Sequence, residues 1–122
     1  MIRVIGIGGV FFKAKDPKAL GAWYKKHLGI DVQDWGGAAF ETSGTYTTAW
    51  SIGGMNSSTF QPSSAPFMIN YRVADLVGLL AALREEGCKV LDKMDDGEYG
   101  KFGWVIDPEG NKVELWQPPE GQ

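Results

Sequence analysis

The chain is poor in the residues that do chemistry unaided. It holds one cysteine, Cys88, and one histidine, His27, in 122 residues. A single cysteine excludes an intrachain disulfide and suits a reducing compartment, so a cytoplasmic location is expected. One Cys and one His also leave little material for a Cys–His nucleophilic pair or a His-rich metal centre. Basic charge is in deficit: 12 Lys and Arg against 15 Asp and Glu give a net charge of −3, with the signs interspersed. No basic face for nucleic acid is expected. No apolar run approaches the roughly 18 residues of a membrane span. The apolar opening, Met1 to Phe12, has no basic leader and is ended by Lys13, so no signal peptide is expected there. No serine sits in a G-x-S-x-G elbow. Gly6-Ile-Gly-Gly9 looks faintly like a dinucleotide loop, but strand rather than helix follows it, so the phosphate cradle is missing.

Glycine and tryptophan are plentiful, at 17 and 5. Glycine permits tight turns and close backbone approach. Tryptophan needs a partner for its indole N–H when buried and often lines pockets. The chain also repeats itself. Val10–Asp16 reads as a strand, Asp16-Pro17 as N-cap and first helical residue, and Leu20, Trp23, Tyr24 and Leu28 recur at helical spacing up to Gly29. Phe67–Val73 is again a strand, Asp75 caps a helix with Leu76, Leu79, Leu80 and Leu83 on one face, and Gly87 ends it. The two passages superimpose at an offset of about 58 to 59 residues. Further strands are expected at Ile30–Trp35, Ala38–Glu41 and Tyr46–Ile52, then at Val90-Leu91, Phe102–Ile106 and Lys112–Trp116. Asp107-Pro-Glu-Gly-Asn111 is the turn of a hairpin. The expected class is therefore α+β, built from two βαβββ modules over residues 1–53 and 67–122. A Gly-, Ser- and Pro-rich linker over 54–66 joins them, and its Phe60 is a candidate for folding back onto a pocket rim.

Strand parity puts Ile69, Tyr71 and Val73 on one side of their strand, and Met68, Asn70 and Arg72 on the other. In the last strand Val113 and Leu115 face one way, Glu114 and Trp116 the other. Glu114, between apolar neighbours, has three readings: a charge paired with Arg72, Lys13 or Lys101, an acceptor for a bound molecule, or a general base. Asn70 must find partners in a neighbouring loop or in a ligand. Trp50, Trp104 and Trp116 are candidates for core or dimer interface or, with Phe11 and Met68, for an aromatic-lined slot that takes a flat or cationic molecule. Asp95–Lys101 reads as an acidic loop, with Glu98 and Tyr99 as candidate lid or ligand contacts. His27 is expected to cap its helix, and Cys88 to be a small buried hydrophobe.

Taken in this order, Phe12-Lys-Ala-Lys-Asp16 before a helix with Trp23-Tyr24, then His27-Leu-Gly-Ile30, the strand Met68–Val73 and Asp107-Pro-Glu-Gly-Asn-Lys-Val-Glu-Leu-Trp116, the chain resembles the vicinal oxygen chelate superfamily of glyoxalase I, extradiol dioxygenases and fosfomycin- and bleomycin-resistance proteins. The resemblance implies paired curved mixed sheets enclosing a cavity, within one chain or across a homodimer. It also implies, in metal-using members, four His, Gln or Glu ligands. Carried over by strand and spacing, those positions fall on Gly9, Met68, Ala49 or Trp50, and Glu114. Only Glu114 is a competent ligand, so no tight divalent metal and no other cofactor is expected. The function implied is sequestration of a small organic molecule in the cavity. The alternative is a metal-dependent lyase, isomerase or dioxygenase with Glu114 as ligand or base.

Overall fold

The structure is a computed structural model that describes residues 14–38, 40, 56 and 58–120. Its elements are α1 (Pro17–Leu28), β1 (Ile69–Arg72), α2 (Leu76–Glu85), β2 (Lys89–Gly97), β3 (Gly100–Ile106) and β4 (Lys112–Gln117). The strands form one open, mixed sheet in the order β1-β4-β3-β2. β1 runs parallel to β4, and the two hairpin pairs β3–β4 and β2–β3 are antiparallel. The α+β class follows.

Both helices begin and end where their sequences direct. The Asp16 carboxylate accepts from the Ala19 amide at 3.0 Å, and Pro17 occupies the first turn, where its missing N–H costs nothing. Gly29 ends α1 at φ 65°, a left-handed conformation that a side chain would resist. Asp75 caps α2 in the same way, accepting from Gly78 N at 3.1 Å, and Gly87 turns the chain out at φ 82°.

The core lies on one face of the sheet. Leu76, Leu80 and Leu83 of α2 and Leu20 and Tyr24 of α1 pack there with Val105, Val113 and Leu115. Gly103 lets α2 approach, since a Cβ on it would come within 2.8 Å of the Leu80 side chain. A polar tie fixes α1 to the β3–β4 turn. The Tyr24 hydroxyl donates to Asp107 Oδ2 at 2.8 Å. Asp107, only 3% exposed, also accepts from the amides of Glu109 and Asn111 and from the Asn111 side chain. A buried carboxylate with four donors is a satisfied one. Burial, then the neighbouring Asp107, drive the Tyr24 phenol far above its ordinary range. The same two causes push Tyr71 up to about 12.

Several expectations are corrected. Ile30–Trp35 is not a strand. Gly36 at φ 95° and the bonds Gln33 N to Gly37 O and Gly36 N to Gln33 O, both 2.9 Å, fold it into a turn. Among the described residues no strand lies beside it to pair with. β2 is far longer than Val90-Leu91 because it pairs with β3 as far as Gly97, which absorbs Asp95–Gly97 of the expected loop. The strands expected at Val10–Asp16, Ala38–Glu41 and Tyr46–Ile52 lie largely outside the described residues.

Candidate functional site

The sheet face turned away from the helices carries the polar and aromatic residues. Alternation sends Val113, Leu115 and Val105 into the core and Glu114, Trp116 and Trp104 to the other side. Asn70, Glu114 and Trp104 stand abreast on β1, β4 and β3. The Asn70 amide donates to Glu114 Oε1 at 2.7 Å, and the Trp104 indole donates to Oε2 at 2.9 Å. Two neutral donors on adjacent strands therefore hold the carboxylate in one orientation. Among the described residues no cationic side chain forms an ion pair with it.

The next row is Arg72, Trp116 and Phe102. The Arg72 guanidinium lies 4.7 Å from the centre of the Trp116 ring, and Phe102 stacks on Trp116 at 5.8 Å with planes 8° apart. The Trp116 indole donates to the Tyr99 carbonyl at 2.8 Å. On the other side of the first row, Lys112 and Lys93 lie 5.2 and 5.8 Å from the Trp104 ring centre. Lys112 also donates to the Thr59 carbonyl at 2.6 Å, which brings part of the 54–66 segment to this face. Burial lowers the Lys112 ammonium, against the opposing pull of Glu114.

Of the residues singled out from sequence, Asn70 and Trp104 are thus both bonded to Glu114. Met68, half-buried just ahead of β1, is in line with them by alternation. Glu98 and Tyr99 form the β2–β3 turn. The Tyr99 side chain is 70% exposed, and only its carbonyl reaches the site. Phe11 and Trp50 lie outside the described residues, as do Gly9 and Ala49. Of the charges considered for Glu114, Arg72 sits over Trp116, Lys101 is in register with Gln117 on the opposite face, and Lys13 lies outside the described residues. Phe102, Lys93 and Lys112 were not singled out. Phe102 was legible, since it shares the parity of Trp104 two residues on. Lys112 was legible in the same way, since it shares the parity of Glu114 two residues on, but Lys93 was not, because its position over Trp104 depends on the irregular β2–β3 register.

The sequence profile of the glyoxalase-like domain matches residues 9–116, well over half of the chain. The chain belongs to the glyoxalase-like domain family. That membership is consistent with the vicinal oxygen chelate resemblance read from its motifs. Two solved structures are similar to this glyoxalase-like domain. One is described as a conserved domain protein, with 24% identity and TM-score 0.40, covering 43% of this chain and 47% of the other. The second is a glyoxalase family protein from Enterococcus faecalis, with 18% identity and TM-score 0.39, covering 48% of each. The chain thus spans about half the length of the structures it matches. No curated protein matches it.

The metal that the superfamily implies can be tested against the donors of this glyoxalase-like domain. Besides Glu114, the described residues of the open face are Asn70 and Arg72 of β1, Phe102, Trp104 and Ile106 of β3, Lys112 and Trp116 of β4 and, by register, Lys89, Lys93 and Asp95 of β2. None is a His or Gln; the second acid, Asp95, stands in the row of Phe102 and Trp116 rather than beside Glu114 and pairs with Lys93, and two lysines lie over the Trp104 ring. That donor set does not fit a divalent ion, which needs several anionic or imidazole ligands. It does fit an organic guest. The face is rich in aromatic and long side chains, and each Glu114 oxygen keeps a lone pair after its one hydrogen bond.

Proposed function

We propose that this glyoxalase-like domain binds a small planar organic molecule on the Glu114 face, by aromatic contact and by hydrogen bonds to Glu114, without using a divalent metal. The observation that carries the reading is the Asn70–Glu114–Trp104 row. It presents a carboxylate oriented by neutral donors, beside two tryptophans. A ligand hydroxyl or N–H would donate to the remaining lone pairs of Glu114. The ligand is neutral or anionic rather than cationic, because Arg72, Lys93 and Lys112 already lie over the tryptophan rings and would repel a further positive charge. In this reading module one, residues 1–53, pairs with module two, residues 67–122, to close a cavity over that face, within one chain or in a homodimer. The expected compartment is the cytoplasm.

The test is a thermal-shift screen in the presence of chelator. Matched planar compounds would be neutral, anionic or cationic, each with and without a hydroxyl. Hydroxyl-bearing neutral or anionic members should stabilise the protein, and Asn70→Ala or Trp104→Phe should cut that shift by at least half. A preference for cations, or shifts indifferent to both variants, would contradict the reading. A second reading rests on the same lone pairs: Glu114 as ligand or general base in a metal-dependent lyase, isomerase or dioxygenase. It requires an ion whose retention depends on Glu114.

A further inference from the structure

On the far side of the molecule from Glu114, both helices end at one place. His27 lies in the last turn of α1, Glu86 is the C-cap of α2, and Cys88 opens the chain towards β2. The His27 Nδ1 and Glu86 Oε1 are in hydrogen-bond contact. One ligand atom from each of His27, Glu86 and Cys88 lies within 4.8 Å of the others. The backbone builds this convergence. Gly87 turns at φ 82°, and its amide bonds to Arg84 O at 3.1 Å while the Cys88 amide bonds to Leu83 O at 2.9 Å. The Cys88 side chain is thereby returned to the end of α2. The His27 side chain is 10% exposed and that of Glu86 is 38% exposed, so the cluster is sheltered on one side and open to solvent on the other.

We propose that His27, Glu86 and Cys88 form a binding site for a borderline-soft divalent cation, zinc foremost, that clips the C-terminal ends of α1 and α2 together. An imidazole, a thiolate and a carboxylate are a zinc-type donor set, whereas magnesium and calcium take oxygen donors. Bond lengths of about 2.0 to 2.3 Å in a tetrahedron put ligand atoms roughly 3.3 to 3.6 Å apart, so side-chain rotations of about 1 Å suffice. Two helix C-termini aim their negative ends at the position and favour a cation, and Arg84 is engaged elsewhere on Leu91 O; against this, burial and then Glu86 raise the Cys88 thiol above its ordinary range, and Lys26 adds a like charge nearby. On binding, the Cys88 thiol proton leaves to solvent, His27 ligates through a ring nitrogen that carries no proton, and water takes the fourth position. The site is independent of the Glu114 face.

The experiment is a titration of the full chain with cobalt(II), followed by displacement with zinc. The expected result is one cobalt per chain with a thiolate-to-cobalt charge-transfer band that zinc abolishes. Cys88→Ser should remove the band, and His27→Ala should weaken binding by about tenfold or more. No band at saturating cobalt overturns the proposal. So does unchanged cobalt affinity in both variants, or loss of the band in Glu114→Gln. Circular dichroism checks that each variant is folded. Should His27→Ala fail to fold, alkylation of Cys88 in the unaltered protein decides: zinc slows it at least about tenfold if the thiolate is a ligand, and an unchanged rate overturns the proposal.

Discussion

Replacing Tyr24 with Phe removes a single hydroxyl from the joint between α1 and the sheet. The ring stays, so the core loses no volume. What goes is the 2.8 Å bond to Asp107 Oδ2, which joins residues 83 apart in sequence. A hydrogen bond to a charged acceptor contributes about 1.5–3 kcal/mol. Asp107 keeps the amides of Glu109 and Asn111 and the Asn111 side chain. Its charge is therefore not stripped of donors, and the lower end, about 1.5–2 kcal/mol, is expected. For a domain of this size that is a fall in Tm of roughly 5–10 °C. Urea denaturation followed by tryptophan fluorescence and circular dichroism measures it, with an unchanged slope against denaturant. Asp107→Ala should cost more, because it orphans three protein donors as well as the Tyr24 hydroxyl. A Tyr24→Phe change within about 0.5 kcal/mol of zero would refute the tie between α1 and the β3–β4 turn.

Other outcomes follow from the same contacts. Tyr71 is raised in the folded protein from 10.0 to about 12 by burial and by Asp107. Its contribution to stability is therefore complete below about pH 10 and is lost as pH rises towards about 12, so unfolding free energy should fall across that window and fall less steeply in Tyr71→Phe. Glu114→Ala leaves the Asn70 amide and the Trp104 indole without their acceptor and should destabilise by about 1–3 kcal/mol. Glu114→Gln keeps one acceptor oxygen and should cost less, and chemical denaturation of the two variants side by side checks the order. Gly103→Ala drives a methyl into Leu80 and should cost about 1–3 kcal/mol, read as a lowered Tm in calorimetry.

The helices were legible because their signals are local. Asp16-Pro17 and Asp75 at the starts, and Gly29 and Gly87 at the ends, specify φ/ψ without reference to the rest of the chain. The faces of the last strand were legible for a similar reason: alternation in Lys112–Gln117 alone separates Val113 and Leu115 from Glu114 and Trp116. Strand extent was not. Asp95-Asp-Gly has poor intrinsic strand character and joins β2 only because β3 pairs with it, while Ile30–Trp35 has good strand character but no described partner. Of the site, the alternation of β1 and β4 pointed to Asn70 and Glu114, yet their contact depends on a parallel register that no local signal sets. Trp104 joins them through the β3–β4 hairpin turn, which was legible. The His27–Glu86 contact was half visible. Their separation of 59 residues is close to the offset of the internal repeat, so both fall at the ends of corresponding helices, but the repeat does not say that those ends meet.

The most direct test of the central claim, that Glu114 works as a hydrogen-bond acceptor for an organic guest rather than as a metal ligand, is elemental mass spectrometry. Untagged protein would be purified without chelator, soaked separately in nickel, zinc, manganese or iron(II), and desalted. Glu114→Ala and Cys88→Ser would be carried in parallel. The expected result is that any ion retained survives Glu114→Ala and is lost in Cys88→Ser. About one ion per chain that disappears in Glu114→Ala and persists in Cys88→Ser would contradict the claim and return the Glu114 face to metal-dependent chemistry.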